Sequence, residues 1–154
     1  MKTCYVILST LISTGLFACS RNPTSIIETA KTDTMKLKVT IGSAIFTATL
    51  LDNASVVALK GKLPMTMNMK ELNGNEKYYD LSENLPHNAS NPQTIQTGDL
   101  MLYGSNTIVL FYKTFPTSYS YTRLGRIDNP SGLAEAQGSG DVIVKFELEK
   151  TSKQ

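Results

Sequence analysis

Apolar and polar residues alternate along much of the chain after residue 34, with the period of half-buried β-strands. The stretch "MKLKVTIG" predicts a strand over 35–41, and Gly42-Ser43 fits a two-residue hairpin turn. A return strand over 44–50 then completes a hairpin. The apolar residues of that return strand share one face: Ala44, Phe46, Ala48 and Leu50.

The pattern changes to helical spacing after the hairpin, with Val56, Leu59 and Leu63 as the apolar positions. Asp52 or Asn53 is a candidate N-cap, because a short polar side chain can accept a hydrogen bond from the first turn. We therefore expect a short helix that ends before the proline that follows.

Alternation returns at Met65, Met67 and Met69, which predicts a strand with methionines on its inner face. Thioethers at alternate positions usually fill a core, and no His or Cys lies nearby to suggest a metal site. We expect no metal, no cofactor and no catalytic residue. Glu71, Glu76, Asp80 and Glu83 are interpreted as a solvated acidic edge around a turn.

The rest of the chain predicts further short strands and turns. The segments are a turn at Asn73-Gly74, a polar loop over 83–93, strands within 98–104, 107–113, 118–127 and 141–149, and a small helix or turn over 132–137. Seven or eight short strands with one or two short helices indicate a mainly β domain, either a closed barrel or a sandwich.

The N-terminus has the layout of a secretory signal. Lys2 supplies positive charge, and Tyr5 to Phe17 is mostly apolar but too short and too interrupted for a permanent membrane span. The order Leu16, Phe17, Ala18, Cys19 resembles the bacterial lipobox. We predict a signal peptide over 1–18 and a lipidated Cys19.

The alternative is a plain signal peptide cut nearby, which would leave Cys19 as an unpaired thiol in an oxidising compartment. Cys4 lies within the predicted signal, so a mature chain could form no internal disulfide. Residues 19–34 are polar and without a sustained period, and are interpreted as the lipidated cysteine with a flexible tether. The predicted address is the bacterial cell envelope, with the membrane as partner through the lipid.

The charges are nearly balanced, with 15 Lys and Arg against 13 Asp and Glu, and form no long run of one sign. This composition gives no indication of nucleic-acid binding. Residues 35–149 fit one domain of ordinary size, followed by a tail over 150–154. We expect a monomer.

Two segments, "LPMTMNMKELNGNEKYYDL" and "GDLMLYGSNTIVLFYKTFPTSYSYTRLGRID", together with the opening hairpin, resemble the bacterial cyclophilin-like barrel family. The resemblance implies a closed cyclophilin-like β-barrel over residues 35–149. Members of this family are small proteins that generally have no established activity. The resemblance therefore implies a fold and leaves the function open.

Prolyl isomerases of the cyclophilin type have an "FHR" start, an "FMxQGGD"-like continuation, and later Phe, Trp and His residues around the proline. This chain has neither motif, no Trp, and a single His, His87, in a polar loop. Two hypotheses remain. The first is a non-catalytic binding or accessory module for a peptide or small ligand, and the second is a divergent prolyl isomerase. We expect no isomerase activity.

The candidate ligand-binding residues are concentrated in "SYSYTRLGR". If this segment is extended, Tyr119, Tyr121 and Arg123 project from one face. Rigid aromatic rings beside a guanidinium are common at binding surfaces. The alternative is that the tyrosines shield the barrel while Arg123 pairs with a carboxylate. Tyr103 and Phe115 are expected to border the same surface if neighbouring strands pair as the resemblance implies.

Overall fold

The computed structural model describes residues 35–149, which form ten strands and two short helices. In chain order these are β1 Lys36–Ile41, β2 Ala44–Leu50, α1 Ala54–Lys60, β3 Met65–Leu72, β4 Glu76–Asp80, β5 Thr94–Ile95, β6 Asp99–Tyr103, β7 Thr107–Phe111, β8 Phe115–Pro116, β9 Thr122–Ile127, α2 Leu133–Gln137 and β10 Val142–Leu148. The predicted signal peptide, Cys19, the tether and the tail lie outside the described residues.

Eight of these strands close into an antiparallel barrel in the order β1-β10-β3-β4-β7-β6-β9-β2. The short strands β5 and β8 form a separate two-stranded sheet. The prediction of a mainly β, closed barrel is confirmed, and the sandwich alternative is wrong. Within the described residues, neither helix is long and apolar enough to cross a membrane.

The alternating apolar residues fill the inside of the barrel, as their period predicts. On β1 and β2 the inner positions include Leu37, Val39 and Ala48, and on β3 they include Met67 and Met69. The methionines are therefore core residues.

Helix α1 begins at the predicted cap, where the Asn53 side chain accepts a hydrogen bond of 3.0 Å from the Val56 amide. Asn53 also donates through Nδ2 to the Arg123 carbonyl at 2.9 Å, which ties the helix to β9. The helix ends at Lys60, so Leu63 lies beyond it, although its side chain still packs against the core.

A second apolar cluster lies on the outer side of the barrel. It consists of Ile95, Met101, Val109, Phe111 and Tyr121, all buried. Strands β6 and β7 serve both clusters, because successive side chains of a strand point to opposite faces. This outer apolar cluster is the floor on which the candidate site is built.

Strand β9 approaches β2 very closely at Gly125. A Cβ atom there would lie 2.3 Å from the Thr49 carbonyl oxygen, so only glycine fits without displacing β2. The pairing of β9 with β6 is also irregular, with a register shift between Leu100 and Met101. Beyond the shift, Arg123 pairs with Met101, whose side chain belongs to the outer apolar cluster.

Candidate functional site

A cleft of about 520 Å³ lies on the outer side of the barrel. Such a volume is within the range of about 300–1,000 Å³ that is typical of small-molecule sites. Its walls are β4, β7, the end of β6, the turn between β3 and β4, and the segment 115–121. The lining residues of this outer cleft are Leu72, Asn73, Asn75, Glu76, Tyr78, Asp80, Tyr103, Thr107, Val109, Phe115, Pro116, Thr117, Ser118, Tyr119 and Tyr121.

Aromatic side chains form one side of the outer cleft. The Tyr103 ring meets that of Tyr119 edge-on at 6.1 Å between centroids and that of Tyr121 at 5.6 Å. Tyr121 in turn packs at 5.5 Å against Phe111, and Phe115 packs at 5.8 Å against the same ring. These contacts hold a wall of rings over the outer apolar cluster.

Residues 117–121, which carry Tyr119 and Tyr121, do not form a strand. Tyr121 makes an isolated bridge with Ser90, in which each amide donates to the other carbonyl at 3.0 Å. Tyr119 precedes the bridge and is 61% exposed, whereas Tyr121 is buried. The segment therefore leaves Tyr119 accessible from solvent, while the buried Tyr121 anchors the wall.

Glu76 is the unusual residue of the cleft, because it is an acidic lining residue that is only 8% exposed. It lies opposite Phe111 in the pairing of β4 with β7. Burial raises the pKa of Glu76 to about 7, and the nearby charge of Glu71 adds to the effect. Within residues 35–149, no lysine or arginine forms an ion pair with this carboxyl.

Glu71 is held very differently, although it is close to Glu76. Its carboxylate accepts hydrogen bonds from Lys77 Nζ, from the Tyr112 hydroxyl at 2.9 Å and from the Gly74 amide at 2.8 Å. Burial alone would raise the pKa of Glu71, but these hydrogen bonds outweigh it and hold the pKa below its usual value. Glu71 therefore stays charged.

Lys77 points to the inner side of β4, away from the cleft, since its pairing partner Leu110 belongs to the barrel core. The side chain is completely buried. Besides Glu71, its Nζ donates to the carbonyl of Gly140 at 2.5 Å and to that of Gly138 at 3.1 Å. All three donors of the ammonium group thus have acceptors, as a buried charge requires.

Two phenols and an amide complete the electrostatics near Glu76. Burial raises the pKa of Tyr112 to about 12, with a contribution from its hydrogen bond to Glu71. Burial also raises the pKa of Tyr121 to about 12, and the nearby charge of Glu76 adds to the increase. Asn75 Oδ1 is buried in the cleft lining and has no hydrogen-bond partner in the described part of the chain.

The structure brings together four of the five predicted ligand-binding residues. Tyr103, Phe115, Tyr119 and Tyr121 all line the outer cleft. Arg123 is not among the residues that line the cleft; it pairs with Met101 across β9 and β6. Whether these residues bind a ligand remains a prediction.

Arg123 lies instead in a smaller hollow, with Asp99 and Arg126 among its lining residues. The alternative interpretation expected Arg123 to pair with a carboxylate. In the structure Arg126 has that role, since its Nε donates to Asp99 at 2.6 Å. The same interpretation expected the tyrosines to shield the barrel, which agrees with the buried position of Tyr121.

Sequence reasoning missed Glu76, Asn75 and Tyr78. The interpretation of the acidic residues as a solvated edge is wrong for Glu76, which is buried. The alternation in "EKYYD" does put Glu76, Tyr78 and Asp80 on one face of β4. That signal was present in the sequence, but it did not show that the face is covered by the segment 115–121.

The described residues bring no metal-binding cluster together in the lining. Across residues 35–149 there is no group of three or more His, Cys, Asp or Glu side chains positioned to bind a metal ion. The charged side chains that line the outer cleft are Glu76 and Asp80, both acidic. The cleft thus combines aromatic surface with negative charge.

A family model described as the cyclophilin-like family matches residues 39–147. No curated protein matches the chain. Among solved structures, the chain is similar to the solution structure of the hypothetical protein AF2241 from Archaeoglobus fulgidus. The two are 18% identical, the match covers 75% of this chain and 95% of that one, and the TM-score is 0.52, which shows a shared fold.

Proposed function

This chain belongs to the cyclophilin-like family, and on that premise we propose that it is a non-catalytic binding module, anchored by lipid in the bacterial envelope. Its outer cleft holds a peptide or a small ligand. The observation that carries the proposal is the exposed aromatic wall, with Tyr103 and Tyr119 set over a separate apolar floor.

Exposed tyrosines would be an unusual way to cover a barrel if shielding were their only purpose. Tyr103 is 46% exposed and Tyr119 is 61% exposed, although both touch other rings. Rigid, half-exposed aromatic rings in a concave site can bury a large ligand area at a small entropic cost. The arrangement supports ligand binding better than it supports a purely structural role.

The expectation that the domain lacks prolyl isomerase activity stays a prediction. The position of Arg123 outside the outer cleft supports it, because a cyclophilin places an arginine beside the twisting proline. The acidic and aromatic lining of the cleft is suited to holding a ligand.

The binding function is tested by screening small molecules and proline-containing peptides against the purified chain, using saturation-transfer NMR. Replacing Tyr119 by alanine should weaken binding of the ligands found by about tenfold, since one well-packed aromatic contact contributes about 1–2 kcal/mol. Arg123→Ala is the matched control, because Arg123 lies outside the cleft, and it should change affinity less than twofold.

Two results would contradict the proposal. The first is ligand affinity that survives both Tyr119→Ala and Tyr103→Ala in a folded protein. The second is robust isomerisation of a proline peptide, which would assign the cleft to the divergent isomerase instead.

The lipid anchor is tested separately. Metabolic labelling with a fatty-acid probe should tag the wild-type chain and leave the Cys19→Ser variant untagged, because the thioether bond to the lipid needs the cysteine sulfur. Cys4→Ser should keep the label, since Cys4 lies within the predicted signal. Equal labelling of wild type and Cys19→Ser would rule out this anchor.

A further inference from the structure

We propose that the outer cleft takes a ligand with an ammonium group on an apolar stem or ring, and that this group binds the Glu76 carboxylate. The inference rests on the proposed function, because it names the ligand chemistry of the same cleft. The ammonium group could belong to a free amine or to a lysine side chain of a peptide, and the test separates these two sources.

The first argument is that the described part of the protein supplies no partner for Glu76, although this residue is only 8% exposed. A carboxylate removed from water normally has a cationic partner or several hydrogen-bond donors. Glu71, close by, has three donors, whereas the hydrogen bonds and ion pairs of residues 35–149 include none to the Glu76 carboxyl. A ligand that brings its own donors would supply what the protein does not.

The second argument is the sign of the charge around Glu76. The other charged residue of the cleft lining is Asp80, on the same strand. Three lysines are near in sequence, but none of them lines the cleft. Lys77 points to the inner side of β4. Lys70 pairs with Tyr78 across β3 and β4, and Lys113 lies over the Tyr112 ring. The cleft therefore favours a cation over an anion.

The third argument is the aromatic wall. The faces of tyrosine rings attract cations, and this attraction adds to a carboxylate contact where water is partly excluded. Tyr103, Tyr119 and Phe115 line the cleft and provide both ring faces and apolar area for the stem of the ligand. A carboxyl in the lining with rings on one side of the cleft is a suitable site for an alkyl or aryl ammonium ion.

Binding of such a ligand would be linked to proton release. Because burial raises the pKa of Glu76 to about 7, the carboxyl is largely protonated below that pH and must lose its proton to the solvent before it can hold a cation. Glu71, Tyr112 and Tyr121 on neighbouring elements do not change charge in this range. Hydrogen bonds hold the pKa of Glu71 low, and burial raises the pKa values of Tyr112 and Tyr121 to about 12.

The test uses the full chain and calorimetric titration with 2-phenylethylamine. 2-Phenylethanol and 3-phenylpropionate are the neutral and anionic analogues. The amine should bind more tightly than either analogue, and its affinity should rise ~30-fold between about pH 5.5 and about pH 8, as the ionised fraction of a carboxyl of pKa near 7 requires. Glu76→Gln should lower affinity at the higher pH by about tenfold or more and remove the pH dependence.

A second pair of probes identifies the source of the ammonium group. A short acetylated peptide amide with a single lysine is compared with the same peptide carrying norleucine. Stronger binding of the lysine peptide than of 2-phenylethylamine assigns the cleft to peptides, and the reverse assigns it to free amines. Either result supports the inference, provided that Glu76→Gln weakens the binding.

The outcomes that overturn the inference differ from those that overturn the proposed function. Equal binding of 2-phenylethanol and the amine, with loss in Tyr119→Ala, would reject the ammonium chemistry and keep the cleft as a binding site. Amine binding that is unaffected by both Glu76→Gln and Tyr119→Ala would place the amine outside the cleft and reject the ammonium chemistry of this site. No binding of any amine or lysine probe would reject the ammonium chemistry alone, since the broader screen decides the proposed function.

Discussion

Replacing Lys77 by methionine should lower the free energy of unfolding by about 3–5 kcal/mol, the usual cost of removing one partner of a buried ion pair. Methionine fills a similar volume but offers no donor to Glu71 or to the carbonyls of Gly138 and Gly140. The loss should appear in urea unfolding as a lower midpoint with a similar slope, since the surface exposed on unfolding hardly changes.

The matched control is Lys145→Met, on the outer side of β10. Lys145 also pairs with a glutamate, Glu147 at 2.9 Å, but its side chain is 47% exposed. Such a surface pair contributes less than about 1 kcal/mol. Comparable losses in the two variants would mean that burial of Lys77 is not what makes its contacts important.

A double variant makes the test more specific. Glu71→Gln removes the negative charge that Lys77→Met leaves without its partner, while the glutamine can still accept from the Tyr112 hydroxyl. The combined loss should therefore be smaller than the sum of the two single losses, as expected for residues in one network. Strict additivity would show that the two side chains are not energetically coupled.

Replacing Glu76 by glutamine should raise the free energy of unfolding at about pH 8, by up to about 3 kcal/mol. The folded-state pKa of about 7 is above the ordinary value of 4.5, so the folded protein binds more protons between these values than the unfolded chain does. The contribution of Glu76 to stability is fully present below the ordinary pKa and is lost as the pH rises through 7. Glutamine imitates the neutral form and avoids that loss.

Urea unfolding of both proteins at about pH 5 and about pH 8 measures the effect. The gain from Glu76→Gln should be small at the lower pH and large at the higher one. Glu147→Gln is the control, because hydrogen bonds from Lys38 and Lys145 lower the pKa of Glu147, so it should bring no gain at the higher pH. A destabilised Glu76→Gln protein at pH 8 would mean that the carboxylate has compensating partners after all.

Period-two alternation was sufficient to predict a mainly β domain, and the family resemblance then favoured a closed barrel over a sandwich. The hairpin over 35–50, the methionine strand and the Asn53 cap could all be found locally, because each depends on neighbouring residues in the sequence. The boundaries were less accurate. The segment 118–121 alternates like a strand, yet it forms only a single bridge to Ser90. The pairing of β9 with β6 starts only at Thr122.

The candidate cleft could be predicted only in part. Aromatic residues in "SYSYTRLGR" identified one wall, whereas the roles of Glu76 and Lys77 depend on chain segments far away in sequence. Alternation along β4 tells which residues share a face. It cannot tell that one face is covered by residues near 115–121 and that the other meets the carbonyls of Gly138 and Gly140, so Glu76 was interpreted as solvated.

The two apolar clusters, one inside the barrel and one on its outer side, have a consequence for how such a protein can diverge. On β6 and β7, residues such as Leu100 and Leu110 belong to the inner cluster that fills the barrel. Their chain neighbours Met101 and Val109 point outward and support the cleft. Mutations that reshape the cleft therefore fall on positions that do not hold the barrel closed. Ligand preference could drift or be re-engineered on the outer side of an unchanged scaffold, a few alternate positions at a time.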